Sequence, residues 1–325
     1  MSELRYNPFL KDWVMVASRR QARPDMPKDW CPFCPGSGKV PADYDVYAYD
    51  NDFPVLEPEW SQTTGNENGF FQARPTYGKC EVILYHPSHT ITLPELPVGH
   101  IRKLVDLWCG RFEALSRNEK IKYIFIFENR GKEAGVTMPH PHGQLYAFSW
   151  IPRIIQTELD ASKEHYSATG RCLICETAEM ERKADKRVVC ENGSFTAFVP
   201  YFTAWPYGIY ITSNKHTGNL NDFTDIQKDD LADILKKVTG TYDTLFNRPF
   251  PYMMGFHQTP VNTAADASAY YHFHIEFYPP LRAKDKQYFR ASCETGAGAY
   301  CNVTLPEEKA AELREAYAKF MSKGK

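Results

Sequence analysis

The sequence predicts an α+β fold made of two similar halves, each a mostly antiparallel sheet with a packed helix. Two observations support this prediction. The same series of motifs occurs twice along the 325 residues, and strand-like apolar runs alternate with apolar residues at helical spacing. We expect the first half to cover residues 1–165 and the second half residues 166–325, with the boundary in the polar stretch 163–170.

The repeated series begins with a Cys-x-x-Cys pair, followed by a strand-like run, a histidine, an amphipathic helix, a second strand and a His-x-His pair. In the first half these parts are Cys31 with Cys34, residues 81–85, His89, residues 101–115, residues 123–127, and His140 with His142. In the second half they are Cys172 with Cys175, residues 208–212, His216, residues 231–245, residues 252–256, and His272 with His274. Thr224 and Gln227 predict a capping box at the start of the second helix. Two series in the same order favour duplication over coincidence.

The composition is that of a globular protein without strong charge. Lys and Arg number 38 and Asp and Glu 40, for a net charge of -2, which argues against electrostatic binding to nucleic acid or to an anionic membrane. No apolar run is long enough to span a bilayer and the first residues are polar, so we expect a cytoplasmic protein. The 9 cysteines then indicate metal binding more than disulfides.

Both Cys-x-x-Cys pairs predict zinc sites, since two thiolates and two imidazoles form a common tetrahedral zinc set. The expected ligands are Cys31, Cys34, His89 and His140 in the first half and Cys172, Cys175, His216 and His272 in the second. His86 is the alternative to His89, but the repeat favours His89, because it matches His216. Four protein ligands leave no open position, so we expect both ions to be structural.

The run from His140 to Gln144 predicts catalysis. Alternate residues of a strand share a face, so His142 and Gln144 point the same way. We predict that His142 is a nucleophile that forms a covalent nucleotidyl-histidine, because a neutral imidazole attacks phosphorus once its other nitrogen is held as a donor. Gln144 would donate its amide to a phosphoryl oxygen, and Gly143 would remove side-chain bulk beside the phosphate. The alternative is that both histidines are ligands or core residues.

The second half offers a contrast at the same place in the series. There the run is His272-Phe-His274-Ile-Glu276, so that Glu276 stands where Gln144 stands in the first half. A carboxylate aimed at a phosphate would repel it. We therefore interpret the second half as a structural copy.

With these motifs the sequence resembles the galactose-1-phosphate uridylyltransferases of the histidine-triad superfamily, and the resemblance covers nearly the whole chain. The most specific match is His140-Pro-His-Gly-Gln144. Further matches are Arg5 to Pro8, Arg20-Gln-Ala-Arg23-Pro24, Asn51-Asp-Phe-Pro54, Thr92-Leu-Pro-Glu-Leu96, Phe127-Glu-Asn129, Ala204-Trp-Pro206 and Phe277-Tyr-Pro-Pro280. The resemblance implies two histidine-triad-like halves and a homodimer with sites shared between subunits.

The resemblance also implies a ping-pong reaction. UDP-glucose would give its uridylyl group to His142 and release glucose 1-phosphate, and galactose 1-phosphate would then take the group from the histidine. The implied substrate-binding residues are Asn51 and Asp52 for uridine and ribose, Asn129, Gly135 and Thr137 for phosphate, Arg20 and Arg23 near the nucleotide phosphates, and Glu294 for the hexose. The two arginines can alternatively be solvated surface residues.

Two regions depart from the family pattern. The best-known members carry a His-x-His directly before Phe-Tyr-Pro-Pro, and there a glutamate and histidines bind iron. Here Ile275 and Glu276 intervene and a Cys-x-x-Cys is present, so we favour a second zinc, with an iron-type site at Glu158 and His257 as the alternative. Around Glu294 the acceptor segment also differs, which leaves the sugar open.

Three other functions remain possible from the sequence. A nucleotide-sugar phosphorylase, acting for example on an ADP-sugar, would use the same histidine chemistry with phosphate as acceptor. A nucleotide hydrolase of the same superfamily typically has a third alternating histidine where this chain has Gln144, which favours transfer. A zinc-organised binding module would show no chemistry.

Overall fold

A computed structural model describes residues 2–18, 30–59, 63, 65 and 68–323. Arg20 and Arg23, which the resemblance places near the nucleotide phosphates, lie outside the described residues. Within these ranges no helix has the length and apolar character needed to cross a membrane. All nine cysteines belong to the described part, and none of them forms a disulfide.

The chain forms fourteen strands and five α-helices over its described length. The strands are β1 (Ser2–Asn7), β2 (Asp12–Ala17), β3 (Tyr47–Asp50), β4 (Ala73–Pro75), β5 (Gly78–Leu84), β6 (Tyr123–Arg130), β7 (His142–Phe148), β8 (Val188–Glu191), β9 (Phe195–Phe198), β10 (Ile209–Ser213), β11 (Tyr252–His257), β12 (His274–Tyr278), β13 (Leu281–Ala283) and β14 (Lys286–Gln287). The helices are α1 (Val98–Ser116), α2 (Arg153–Thr169), α3 (Leu173–Ala184), α4 (Asp225–Phe246) and α5 (Pro306–Lys323).

Nine of these strands form one sheet in the order β3-β5-β7-β6-β11-β12-β10-β9-β8. Apart from the edge strand β8, the order is symmetric about the β6–β11 pair: β3, β5, β7 and β6 of the first half correspond to β9, β10, β12 and β11 of the second. Every pairing is antiparallel, and the halves join where β6 pairs with β11, from Tyr252 opposite Arg130 to Gly255 opposite Phe127. The predicted α+β fold with two mostly antiparallel halves is confirmed, and the two sheets are continuous.

The two predicted amphipathic helices pack against this sheet and against each other. Helix α1 buries Ile101 and Trp108, and α4 buries Leu231 and Leu235, in one core that runs across both halves. The capping box of α4 also forms, because the backbone N–H of Gln227 donates to the Thr224 hydroxyl at 3.3 Å and the backbone N–H of Thr224 donates to Oε1 of Gln227 at 3.0 Å. The apolar spacing thus identified the helices that organise each half.

Helices α2 and α3 connect the halves, and the sequence pattern did not predict them. The polar stretch 163–170 forms the last turns of α2 and its cap, where Gly170 has a φ of 70°. The expected division between residues 165 and 166 therefore falls inside α2. This helix buries only Ile155, Leu159 and Ser162, so its apolar periodicity is too weak to distinguish it from a linker.

Candidate active site and metal centres

His142 begins strand β7, and its ring is held in one tautomer by the backbone. Its Nδ1 lies 2.7 Å from the carbonyl oxygen of His140. A carbonyl oxygen only accepts hydrogen bonds, so Nδ1 carries the proton and Nε2 of the neutral ring bears the lone pair. The ring is half-buried. This is the state that nucleophilic attack on phosphorus requires.

Two cavities meet at His142. The larger has a volume of about 780 Å³ and is lined by Thr92, by residues 128–132, by residues 136–142 and by Pro249 to Pro251. The smaller has a volume of about 280 Å³ and is lined among others by Phe33, Tyr49, Asn51, Asp52, Gln144 and His142. Thr137, Met138 and His142 line both. A molecule with two different ends can therefore occupy both cavities with its middle at His142.

Of the six expected substrate-binding residues that the structure describes, four face these cavities, together with the expected catalytic Gln144. Asn51, Asp52 and Gln144 line the smaller cavity, Asn129 the larger, and Thr137 both. Asp52 accepts a hydrogen bond from the Tyr49 hydroxyl at 2.6 Å. The Tyr146 hydroxyl donates to Gln144 Oε1 at 3.3 Å, which leaves the amide NH₂ of Gln144 as the group that can donate to a ligand.

Two expected residues do not line these cavities. Gly135 ends a short 3₁₀ turn with a φ of 78°, and its N–H donates to the carbonyl of Lys132 at 2.9 Å. Glu294 is partly exposed in a different part of the chain, and its carboxylate accepts a hydrogen bond from the N–H of Ala291 at 3.1 Å. Within one described chain neither residue contributes a wall of the space around His142.

The structure adds residues that the motifs did not indicate. Lys132 lines the larger cavity and Lys39 the smaller one, and each can approach an anion. Trp30 lines both, and the Phe33 ring lies 5.6 Å from the ring of His142. Phe33 lies between Cys31 and Cys34, and this position is the sequence signal for its role. A metal ion bound to the two cysteines would hold the Phe33 ring next to His142.

The expected reason for Gly143 is wrong. Gly143 alternates with His142 and Gln144 on β7, so it faces the other side of the sheet, away from the cavities. A Cβ at Gly143 would lie 2.4 Å from the hydroxyl of Tyr85 and 3.0 Å from the carbonyl of Phe127. The glycine therefore makes room for the buried tyrosine and not for a phosphate.

The first set of expected metal ligands is assembled. Cys31, Cys34, His89 and His140 place their ligand atoms within 4.8 Å of one another. The Cys34 sulfur lies 3.5 Å from Nδ1 of His89 and 3.6 Å from Nδ1 of His140. Around a tetrahedral zinc, sulfur and nitrogen ligands are about 3.6 Å apart. The separations therefore fit that ion without rearrangement.

Neighbouring groups prepare His140 for metal binding. Its Nε2 lies 2.9 Å from the His86 carbonyl oxygen, which leaves Nδ1 facing the thiols. Such outer contacts commonly fix the tautomer of a ligating histidine. Burial lowers the pKa of His140 to about 4, so the ring is neutral at pH 7. His86, the alternative ligand, instead accepts from the Ser88 N–H through its own Nδ1.

The second expected set, Cys172, Cys175, His216 and His272, is also assembled within 4.8 Å. The Cys175 sulfur lies 3.1 Å from Nδ1 of His216 and 3.0 Å from Nδ1 of His272. Nε2 of His216 faces the Ser268 carbonyl and Nε2 of His272 faces the Ser213 hydroxyl, each at 2.6 Å. Both rings thus direct Nδ1 at the sulfurs, as in the first set.

A third set combines the iron-type alternative with residues of the second half. Glu158, His257, His274 and Glu276 also place their ligand atoms within 4.8 Å of one another. Glu158 accepts from His257 at 2.9 Å, and Glu276 lies 3.2 Å from Nε2 of His274. The two alternatives for the second metal are therefore separate clusters. Glu276, expected to act only by repelling phosphate, is a member of this cluster.

Charge balance explains the protonation of the third set. Burial alone would lower the pKa of His257, but the charges of Glu158 and Glu276 raise it to about 9. Burial would raise the pKa of Glu276, but His257 and His274 bring it down to about 2. One buried and one partly buried carboxylate need positive charge nearby, and either the His257 imidazolium or a divalent cation can supply it.

Comparisons with known proteins show the family of this chain. The model of the galactose-1-phosphate uridyl transferase N-terminal domain matches residues 1–152, and that of the C-terminal domain matches residues 158–318. A galactose-1-phosphate uridylyltransferase of Thermotoga maritima is 43% identical, covering 97% of this chain and 98% of that protein. The enzyme of that name from Rattus norvegicus is 32% identical, covering 96% and 86%.

Solved structures give the same result. A uridylyltransferase structure superposes with a TM-score of 0.90 at 32% identity, covering 98% of this chain and 99% of that one. An Arabidopsis thaliana ADP-glucose phosphorylase with bound ADP-glucose gives 0.76 at 25% identity, covering 97% and 98%. Both halves match domain models of one family of nucleotidyltransferases, and the chain belongs to the galactose-1-phosphate uridylyltransferase family.

Proposed function

We propose that this enzyme transfers the uridylyl group of UDP-glucose to galactose 1-phosphate through a covalent uridylyl-histidine at His142. The observation that carries the proposal is the hydrogen bond from His142 Nδ1 to the His140 carbonyl, at the junction of two cavities. The uridine would occupy the smaller cavity beside Asn51 and Asp52. The hexose phosphate would occupy the larger one.

In the first step the lone pair of His142 Nε2 attacks the α-phosphorus of UDP-glucose. The P–O bond to glucose 1-phosphate breaks, and that product leaves with the bonding electrons. In the second step a phosphate oxygen of galactose 1-phosphate attacks the same phosphorus and the P–N bond breaks, which restores the imidazole. The His140 carbonyl stabilises the positive charge that the ring carries in between.

Charge on the phosphoryl oxygens needs donors on the opposite side. Gln144 is the proposed catalytic donor, because Tyr146 occupies its carbonyl oxygen and the NH₂ group remains for the phosphoryl oxygen. Asn129 and Thr137 are proposed to hold phosphate in the larger cavity. Each donor of this kind contributes about 3 to 4 kcal/mol to the transition state in comparable enzymes.

The acceptor end is proposed to be completed by a second subunit. Glu294, expected to bind the hexose, does not line the cavities of its own chain. In a homodimer with shared sites, Glu294 of one subunit would reach the larger cavity of the other. The proposed location is the cytoplasm, in keeping with nine cysteines that form no disulfide.

Zinc is the proposed ion of both cysteine sets, since thiolate and imidazole ligands suit it. The carboxylate and imidazole ligands around Glu158 suit iron(II) as well as zinc. Elemental analysis of the purified enzyme should give about two zinc per chain. One zinc with one iron would refute zinc at Cys172, and an ion beyond two zincs would belong to the Glu158 set.

The test of the mechanism is covalent labelling. UDP-glucose carrying ³²P in the α-phosphate should label the protein, release glucose 1-phosphate and give a bond stable in base and labile in acid. His142→Ala should abolish the label, and His165→Ala, which removes a histidine of α2 outside the cavities, should retain it. Absence of label with every nucleotide sugar would reject the covalent mechanism.

The competing function is that of a nucleotide-sugar phosphorylase, since such an enzyme shares the fold. Both activities begin with the same labelled histidine, so the acceptor decides between them. The labelled enzyme is mixed with galactose 1-phosphate or with inorganic phosphate. Transfer of the labelled uridylyl group to galactose 1-phosphate, giving UDP-galactose, supports the proposal. If the enzyme is instead labelled by an ADP-sugar and phosphate removes the label, the phosphorylase is supported.

A further inference from the structure

Tyr85 lies directly behind the segment that carries His142. It follows β5 and is only 1% exposed. Its N–H donates to the carbonyl of Pro141 at 3.2 Å, and its own carbonyl lies 2.7 Å from Nε2 of His100 on α1. The backbone of Tyr85 therefore fixes the residue immediately before His142.

The side chain of Tyr85 reaches the residue immediately after His142. Its hydroxyl lies 2.4 Å from the position that a Cβ on Gly143 would take. The ring is also held from behind by Trp108 of α1, at a centroid distance of 6.0 Å. One buried residue thus contacts the chain on both sides of the proposed nucleophile.

A carboxylate from the neighbouring strand fixes the direction of this hydroxyl. Tyr85 donates to Glu128 at 3.2 Å, and Tyr252 of the second half donates to the other oxygen of Glu128 at 3.1 Å. Glu128 is 5% exposed. The Tyr85 hydroxyl therefore cannot turn away from Gly143 without leaving a buried acceptor unsatisfied, which is costly.

We propose that Tyr85 is a positioning residue that sets the height and direction of the segment from Pro141 to Gln144, and that Gly143 is glycine because of this contact. The proposal rests on the proposed role of His142. Tyr85 touches no substrate; it acts through the backbone that aims Nε2 of His142 and the amide of Gln144. The second half takes part through Tyr252, which donates to Glu128 of the first half.

The test is a double-mutant cycle on the rate of ³²P labelling from UDP-glucose. Gly143→Ala should slow labelling about 100-fold, because an added Cβ pushes the reacting segment away from the tyrosine. Tyr85→Phe alone should slow it about fivefold, with kcat lowered and KM for UDP-glucose unchanged. In the double variant the hydroxyl overlap is gone, and labelling should recover at least about tenfold over Gly143→Ala.

Tyr123→Phe supplies the matched control, since Tyr123 is a fully buried tyrosine of the same sheet whose hydroxyl donates to Phe256. It should not rescue Gly143→Ala. If Gly143→Ala does not fold, recovery of folding by Tyr85→Phe is the same rescue. Absence of rescue, equal rescue by Tyr123→Phe, or a Tyr85→Phe effect on KM alone would overturn the proposal. Label that does not map to His142 in the unaltered enzyme would instead reject the proposed function.

Discussion

His142 in the first half and His274 in the second begin equivalent strands, and their rings are held alike. Nδ1 of His142 lies 2.7 Å from the His140 carbonyl, and Nδ1 of His274 lies 3.0 Å from the His272 carbonyl. The repeated backbone therefore fixes the same ring orientation twice, with Nδ1 donating to a carbonyl oxygen. What differs is the side chain two residues later, which is Gln144 in one half and Glu276 in the other.

This difference determines which group lies next to Nε2 of the histidine. Nε2 of His274 lies 3.2 Å from Oε1 of Glu276, and the Tyr278 hydroxyl donates to Oε2 of the same carboxylate at 2.6 Å. His274 is 4% exposed, whereas His142 stands half-buried between two cavities. A third cavity of about 290 Å³ adjoins His274. Unlike the two cavities at His142, it is lined by residues of helices α2 and α3. The backbone therefore orients the imidazole in both halves, and the side chain two residues later determines what Nε2 faces.

Converting the first half toward the second should have the largest effect on the reaction. In Gln144→Glu the carboxylate would repel the phosphoryl group and remove the donor, so labelling from UDP-glucose should slow about 100- to 1000-fold. Gln144→Ala, which removes the donor without adding charge, should lose less. Equal losses in the two variants would mean that charge at this position is irrelevant, and the contrast with Glu276 would fail.

The next largest difference between the halves should come from the loss of their metal clusters. Cys31→Ser should remove one zinc per chain and slow labelling about 10- to 100-fold, because Phe33 and His140 lose their support beside His142. Cys172→Ser should also remove one zinc but leave the labelling rate within about threefold, since its cluster lies in the copy. Metal content and labelling are measured on the same samples. A larger rate loss in Cys172→Ser would reverse this assignment.

Glu276→Gln should affect stability more than chemistry. Removing the charge of the buried Glu276 carboxylate breaks the pairing with His274 and should lower the free energy of unfolding by about 3 kcal/mol. Labelling should remain within about twofold of the unaltered enzyme. Urea denaturation and labelling rates check the two statements. A rate loss comparable to that of Gln144→Glu would mean that the second half carries chemistry of its own.

The smallest expected effect is a pH dependence at the joint between the halves. Burial raises the pKa of Glu128 to about 7, above its value of 4.5 in the unfolded chain. The native state therefore binds the extra proton between these values, and its contribution to stability falls as pH rises from 4.5 to 7, by at most about 3 kcal/mol. Glu128→Gln should flatten this part of the profile. If the free energies of unfolding of Glu128→Gln and the unaltered protein differ by the same amount at pH 5 and at pH 8, Glu128 does not bind the extra proton.

Periodic features were readable from the sequence, and contacts across the fold were not. The spacing from Ile101 to Leu115 and from Leu231 to Leu245 identified α1 and α4, because one face of each helix is apolar. The repeated series of Cys-x-x-Cys pairs and histidines predicts both cysteine clusters. Each of these signals lies within one half and repeats in the other.

The role of Gly143 cannot be predicted from the motif, because it depends on Tyr85, which is distant in sequence and carries no motif. The family resemblance places Glu158 and His257 in an iron-type site, but no sequence signal joins His274 and Glu276 to them, since Glu158 comes from α2, a helix without a clear apolar stripe. A charged residue on the same strand face as His274 was a local signal for that cluster. Because the sequence shows no partner for Glu276, its carboxylate predicts only the repulsion of a phosphate.

The pairing of β6 with β11 has a consequence for the integrity of the molecule. Each of these strands would be a bare edge if its half were produced alone, and bare edges attract other strands. Separately expressed halves should therefore self-associate, whereas co-expressed halves should reassemble on each other. The seam makes the duplicated chain one cooperative unit, in which neither half has a surface that is finished without the other.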